Sequence, residues 1–284
     1  MSKILVTGGA GFIGTALVKR LVKDGHKVVS FDNYSTGKRS NEQEGCFYYY
    51  GTPQDIAGAL RYTKPTYDYI FHLGEYARVE QSFSDYDTVM KSNYHGFPYI
   101  LDFAKQQDAK LIYSGSSTKF AEGGGRNMSP YAYTKAQNTE LLKNYSDWYG
   151  LDYSIVYFYN VYGDNEISKG KYATVIGKFI NMVKEGVIEL PVTMPGTQTR
   201  NFTHIDDIVD GIILAAFKGS GDDYGIGSDE KYSILDVVKA LNCTPSLQPE
   251  KPGNRMDGEL KTDKIKELGW KCKNNLMSYL KEQI

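Results

Sequence analysis

Long apolar runs are missing from this chain. The longest, Ile212–Phe217, has six residues, far below the roughly 18 that a membrane-spanning helix needs. A basic excess is missing too: 33 Lys and Arg face 34 Asp and Glu, for a net charge of −1, so a nucleic-acid partner is not expected. Only three cysteines occur, Cys46, Cys243 and Cys272. Their spacing suits neither a metal site nor a disulfide framework. The start, Met1 to Thr7, enters a strand pattern at once, without the apolar segment and cleavage site of a signal peptide. The expectation is a metal-free cytoplasmic protein. With 284 residues a core can form without cross-links.

What is abundant is tyrosine, 24 residues against 12 phenylalanines. Tyrosine serves as a proton-transfer group, a stacking surface or an amphipathic core residue, and composition does not choose among these.

The first half alternates β-branched runs with helical periodicity. Strands are predicted at Ile4–Thr7, Lys27–Phe31, Cys46–Tyr50, Tyr69–Leu73, Leu111–Ser114 and Tyr153–Phe158, and helices at about 12–24, 53–63, 85–107 and 131–149. In the first helix Phe12, Ile13, Ala16, Leu17, Arg20 and Leu21 form the expected buried stripe. Such alternation predicts an α/β fold with a doubly wound parallel sheet of Rossmann type. Beyond about residue 165 the pattern loosens. Helices are expected at 171–185, 204–217 and 233–241, a short strand near 223–226, and loops around Pro191–Gly196 and Pro245–Gly253. The division expected is a dinucleotide-binding domain over 1–165 with a return segment at about 203–226. A smaller mixed α/β substrate domain would take 166–202 and 227–284.

The first strand runs into Thr7-Gly8-Gly9-Ala10-Gly11-Phe12-Ile13-Gly14 and then a helix. Gly8, Gly11 and Gly14 would let main-chain N–H groups approach a pyrophosphate resting on the helix N-terminus. A Gly-rich turn without a ligand is the alternative. Asp32, ending the second strand, is placed to accept hydrogen bonds from an adenosine ribose and to repel a 2′-phosphate. NAD is therefore expected over NADP, with Lys38 and Arg39 near enough to soften that preference.

Tyr131 and Lys135 form Y-x-x-x-K, but so do Tyr34 and Lys38, and this many tyrosines make chance matches expected. Context separates them. Tyr34 lies in a Ser-Thr-Gly turn, whereas Tyr131 opens a helix behind Ser129-Pro130, where i and i+4 share a face. An ammonium beside a phenol lowers its pKa from about 10 toward working pH. Ser116, at the end of the Leu111–Ser114 strand, is the candidate third member, with Ser114 and Ser117 as neighbours.

These segments resemble the extended short-chain dehydrogenase/reductases, specifically their nucleotide-sugar epimerase/dehydratase group, and are most similar to its UDP-galactose 4-epimerase branch. The likeness covers nearly the whole chain. It is carried by Asp32-Asn33-Tyr34-Ser35-Thr36-Gly37, His72-Leu73-Gly74, Asn93-Tyr94-His95-Gly96, Tyr159-Asn160-Val161-Tyr162-Gly163, Gln198-Thr199-Arg200-Asn201-Phe202 with Asp206-Asp207, and Leu268-Gly269-Trp270. The resemblance implies an NAD-dependent enzyme that oxidises a nucleotide-diphosphate sugar to a keto-sugar and returns the hydride to the other face, with Ser116, Tyr131 and Lys135 catalytic. It adds Phe12, Ile13, Asn33, Leu73, Tyr131 and Lys135 to the glycines and Asp32 as cofactor contacts. It implies Asn93, Asn160, Arg200, Lys251 and Arg255 as substrate contacts, and a homodimer through helices 85–107 and 131–149. A 4,6-dehydratase, a reductase and a non-catalytic NAD-binding scaffold are the alternatives.

The chain departs from that group in places. Ser116-Ser117-Thr118 stands where its dehydratases carry Thr-Asp-Glu, and Asn254 where an acid usually follows Pro-Gly. Thr52 replaces the acid that touches adenine. Gly123-Gly124-Gly125 lies in a short span over the sugar site. Gly74-Glu75-Tyr76-Ala77-Arg78 is unusually charged for a loop facing nicotinamide and sugar. Either Glu75 and Arg78 form a structural ion pair, or one of them touches the sugar or acts as an extra acid/base. Tyr76, Tyr157 and Tyr162 are further residues within conceivable reach of the substrate.

Overall fold

The computed structural model describes residues 1–60, 66–120, 128–250 and 259–284, with the side chains of Lys119 and Phe120 left aside. The predicted strands all form and pair in parallel. They are β1 (Lys3–Thr7), β2 (Lys27–Asp32), β3 (Cys46–Tyr50), β4 (Tyr69–His72), β5 (Lys110–Ser116), β6 (Tyr153–Phe158) and β7 (Gly221–Ile226). Their spatial order is β7-β6-β5-β4-β1-β2-β3. β1 and β4 are buried on both faces, as central parallel strands must be. The chain leaves β1 in one direction and later returns to its other side at β4, so a crevice opens where their carboxyl ends diverge. This is a Rossmann-type sheet.

Two hydrophobic layers cover it. Ile56, Phe97, Ile100, Leu101, Ala104 and Leu142 pack one face. On the other, Leu17, Val18 and Leu21 of the Phe12–Lys23 helix meet Ile205, Ile208, Val209 and Ile212 of the Ile205–Lys218 helix. Arg20, expected in the buried stripe, instead reaches out to Asp24 at 2.9 Å and Asp210 at 2.6 Å. A third apolar cluster gathers Ile176, Phe179, Leu190, Val192, Phe202, Val237 and Leu280. Trp270 lies in the second cluster and donates its indole N–H to the Asp207 carbonyl at 2.8 Å.

Three expectations change. The helix predicted at 85–107 is broken: Tyr86–Val89, a wide π-type turn over Met90–Tyr94, then Phe97–Gln107. Pro98 sits in the first turn of the last piece, where its missing N–H is harmless; inside a continuous helix it would break the ladder. Of the helix predicted at 53–63, the described residues form a single turn at Pro53–Asp55 and a short helix at Ile56–Ala59, and 61–63 lie outside the described residues. The two proline-bearing loops are strands in part, Glu189–Thr193 pairing in parallel with Thr244–Gln248, a two-stranded ladder that tolerates proline because both strands are edges.

No helix among the described residues is long and apolar enough to cross a membrane. Trp270 is 3% exposed. Trp270→Ala should cost about 3–5 kcal/mol, read as a lower guanidinium unfolding midpoint with an unchanged slope.

Candidate functional site

At the end of β1, Gly8 has φ +75° and donates its N–H to the Phe31 carbonyl at 2.9 Å. A Cβ on Gly8 would lie 2.8 Å from the Gly74 backbone, and one on Gly14 only 2.0 Å from the Gly8 carbonyl oxygen. Side chains are therefore excluded at both points, and the turn folds back tightly over the helix start. Asp32, at the carboxyl end of β2, is almost fully buried. Its carboxylate accepts the Ala10 N–H at 2.9 Å and the Tyr34 N–H at 2.7 Å. Gly8, Gly11 and Asp32 border a cleft enclosing about 970 Å³ of space continuous with solvent, together with Asn33, Leu73, Gly74 and Tyr172. A bare glycine turn at a helix N-terminus and a buried acid on the next strand suit a dinucleotide pyrophosphate and ribose. Phe12 and Ile13 pack their side chains against the core beneath. Arg39 stacks over the Tyr34 ring at 5.0 Å and lies 3.8 Å from Glu42.

The Pro130–Tyr149 helix starts where the sequence signals it, with the Ser129 hydroxyl accepting the Ala132 N–H at 3.1 Å and Pro130 next. Tyr131 is half-buried on its first turn. One turn on, Lys135 is 4% exposed and donates to the Ser114 carbonyl at 2.6 Å. Its other close partner is Glu75: Nζ to Oε2 is 2.7 Å, with the Glu75 side chain only 1% exposed. Tyr113 donates to the same oxygen at 3.0 Å, and the Asn138 amide donates to Oε1 at 2.8 Å. Nε2 of the fully buried His72 lies 3.4 Å from Oε1, close enough for attraction but not in hydrogen-bond geometry.

Thr7 Oγ1 accepts the Gly74 N–H at 3.2 Å and lies 2.7 Å from His72 Nδ1. The simplest assignment has Thr7 donating to Nδ1, which leaves the neutral imidazole's proton on Nε2, facing Glu75. Burial alone would push the Glu75 carboxyl up. The Lys135 and His72 side chains outweigh it and hold the group well below the usual carboxylate range.

The Glu75–Arg78 ion pair, one of the two readings of this loop, does not occur. Arg78 donates through Nε and Nη2 to the Tyr172 carbonyl at 3.0 and 2.9 Å, and through Nη1 to the Ala77 carbonyl at 2.8 Å. Asp85 accepts the Tyr76 and Tyr172 hydroxyls, each at 2.9 Å, and pairs with Lys171. These bonds strap Lys171-Tyr172 onto the loop that follows β4, which is why the helix expected from 171 begins only at Val175.

Ser116 ends β5, 7% exposed, its hydroxyl 2.9 Å from that of Thr118. Ser114 donates its own hydroxyl to the His72 carbonyl at 3.1 Å, and this separates the two serines. Asn93 is fully buried. Its amide accepts the Tyr76 N–H at 2.8 Å and donates to the Tyr76 carbonyl at 3.0 Å, so it acts on the cleft by fixing Tyr76. Asn160 is exposed, and its carbonyl accepts the Thr203 N–H at 3.1 Å. Arg200 is half-buried on the two-residue strand Thr199–Arg200, paired with Tyr232–Ser233. Lys251, Arg255 and the Gly123–Gly125 turn lie outside the described residues. Tyr76 lines the cleft, whereas Tyr157 and Tyr162 are fully buried, the Tyr157 hydroxyl donating to Asp222 at 2.6 Å.

The sequence signalled the oddity of Glu75 but not its partner, because 60 positions separate it from Lys135 and no periodicity spans them. Tyr172 carried no signal at all.

A Rossmann-type sheet with a glycine turn, a ribose-seeking acid and a tyrosine–lysine helix defines a dinucleotide-dependent enzyme of the short-chain dehydrogenase/reductase class. The model of the NAD dependent epimerase/dehydratase family matches residues 4–227, and the chain belongs to that family. It is 30% identical over 257 residues to a UDP-N-acetyl-alpha-D-glucosaminuronate decarboxylase of Bacillus cytotoxicus, covering 84% of this chain and 79% of the relative. Among solved structures it superposes on a UDP-glucose 4-epimerase of Thermotoga maritima with UDP-glucose, TM-score 0.91, 28% identical, covering 98% of this chain and 96% of that one. It also superposes on the Thermus thermophilus UDP-glucose 4-epimerase complexed with NAD, TM-score 0.88, 27% identical, covering 98% and 96%. The cofactor of the family is NAD.

Two outcomes follow from the geometry. Asp32→Ala removes the acceptor at the ribose end, and calorimetry should find NAD binding weakened by about tenfold or more. Burial pushes the Glu166 carboxyl up to about 7, although Thr174 and the Gly177 and Gly163 main chain approach it. None of these completes a hydrogen bond to its buried oxygens. Folded, it keeps its proton to about pH 7; unfolded, it loses it near the ordinary 4.5. Its contribution therefore favours folding at low pH and is lost as pH rises between these values. Glu166→Gln should flatten that decline, measured as denaturation midpoints at pH 5 and pH 8.

Proposed function

We propose that the protein is an NAD-dependent epimerase of a nucleotide-diphosphate sugar, acting by transient oxidation of a ring hydroxyl. The observation that carries this reading is the placement of Tyr131 one helical turn before the buried Lys135, with Ser116 ending β5, the strand whose Ser114 carbonyl holds that lysine. When bound, NAD supplies a reversible hydride acceptor. Tyr131 takes the proton from the sugar hydroxyl at its phenol oxygen and later returns it. The Ser116 hydroxyl donates to the same sugar oxygen while it is a carbonyl, and Lys135 stabilises the phenolate. Ser116-Ser117-Thr118 offers no carboxylate for the acid and base that elimination of water would need, which favours epimerisation over dehydration. Asn160 and Arg200 are assigned to the substrate's diphosphate.

A second reading, decarboxylation of a nucleotide-linked hexuronate after the same oxidation, is favoured by the 30% identity to a sugar-acid decarboxylase. Homodimerisation through 85–107 and 131–149 is supported by the exposure of Tyr94, Tyr99, Tyr133, Trp148 and Tyr149 along those segments; light scattering showing a monomer would remove it. The three free thiols fit a reducing, cytoplasmic compartment.

The deciding experiment incubates the purified protein, without reductant, with UDP-, dTDP-, GDP- and CDP-linked neutral sugars and hexuronates. The expected product has unchanged mass, and Tyr131→Phe should slow its formation by about 10²–10⁴-fold. Loss of water would mark a dehydratase, release of CO₂ a decarboxylase, and consumption of added NADH a reductase. NAD retention with no turnover on any sugar would mark a binding scaffold.

A further inference from the structure

The loop after β4 carries a carboxylate that the proposed reaction does not use. Glu75 is enclosed from three directions: Lys135 and Asn138 on the helix and Tyr113 on β5 donate to it, and His72 at the end of β4 lies 3.4 Å away. His72 is in turn held by Thr7 from β1. All of these groups are within the protein, so water does not screen the charges they carry.

We propose that Glu75 is a positioning residue that sets the proton affinity of Tyr131. By pairing with Lys135 at 2.7 Å inside the protein, it turns an isolated cation into a nearly neutral dipole and weakens the pull of that cation on the phenol. This rests on the assignment of Tyr131 as the phenol that moves the proton.

The geometry supports more than a passive counter-ion. Lys135 already has a neutral acceptor in the Ser114 carbonyl at 2.6 Å. The carboxylate, for its part, is fixed by Tyr113 and Asn138 independently of the lysine, so it cannot swing away when the charge around it changes. A carboxylate locked in this way contributes a steady negative potential that offsets the lysine beside the tyrosine–lysine turn.

Arg78, from the loop after β4, and Tyr113, from β5, also face Tyr131 electrostatically. Arg78 itself faces Tyr76, Tyr172 and Glu166. No carboxylate among the described residues lies within ion-pair distance of Arg78, whose hydrogen bonds run to main-chain carbonyls. With Lys135 balanced by Glu75, Arg78 is a cation near the phenol that has no ion-pair partner among the described residues.

The test reads Tyr131 directly. In NAD-loaded protein labelled with ¹³Cζ-tyrosine, the resonance that disappears in Tyr131→Phe is followed through a pH titration. Glu75→Gln should lower its midpoint by about one pH unit, because the lysine then acts unopposed. The variant Glu75→Gln/Lys135→Met removes both buried charges together, a replacement that buried pairs tolerate well, and should titrate close to the parent.

An unmoved midpoint in Glu75→Gln would overturn the proposal. So would a double variant whose midpoint rises as far as that of Lys135→Met. If Glu75→Gln alone does not fold, the double variant decides by itself. The titration needs no turnover, so its failure is distinct from that of the epimerase reading, which falls when Tyr131→Phe still converts substrate.

Discussion

A lysine ammonium cannot be carried into a protein interior unless its charge and its three donors are met there, and the head of this sheet is arranged around one such group. Lys135 reaches from its helix to the carboxyl ends of β4 and β5, where Ser114 offers a carbonyl and Glu75 a carboxylate. Two opposite charges so deeply buried are stable only when their remaining lone pairs and protons also find partners. Tyr113, Asn138 and His72 serve the carboxylate, and Thr7 fixes His72 from the first strand. Four elements far apart in sequence thus converge on one charge pair, at the switch point where the crevice opens. The tautomer of a histidine and the placement of the Pro130–Tyr149 helix are parts of a single electrostatic solution.

The same region shows why the surrounding backbone is irregular. Asn93 can clamp both polar groups of the Tyr76 main chain because a wide turn at Met90–Tyr94 rotates it inward. A regular helix over 85–107 would present a different side chain there. The interruption that looks like a flaw in the helix is what holds the charged loop against the sheet. Gly8 and Gly14 have a comparable part on the other side of the crevice, where any side chain would collide with the main chain.

Much of this was legible in the residues, and the limits have physical causes. The strands were readable because central parallel strands are continuous β-branched runs, and the Ser129-Pro130 signal located the tyrosine–lysine helix through its cap. Gly8, Gly14 and Asp32 stand where a strand–turn–helix reading puts them. The break near Gly96-Pro98 was missed because apolar spacing continues through it, and the strands at Pro191 and Pro245 because proline conceals an edge ladder. The only partner the residues offered for Glu75, in one of two readings, was Arg78, its sequence neighbour. Charges choose partners by where the fold carries them, and the helix bearing Lys135 arrives from the far side of β5. Nothing local marked Tyr172, which reaches the cleft only through a strap made with residues more than eighty positions away.

That strap has one more consequence. The Tyr76 and Tyr172 hydroxyls end on the same oxygen of Asp85, each at 2.9 Å. One wall of the crevice follows β4 and the other approaches from the region beyond β6, and the two are tied by Asp85 to Lys171 and the Tyr172 hydroxyl and by Arg78 to the Tyr172 carbonyl. The opening can therefore widen only by breaking these ties together or by carrying both walls along with it, and the aperture behaves as one hinged jaw rather than two independent flaps.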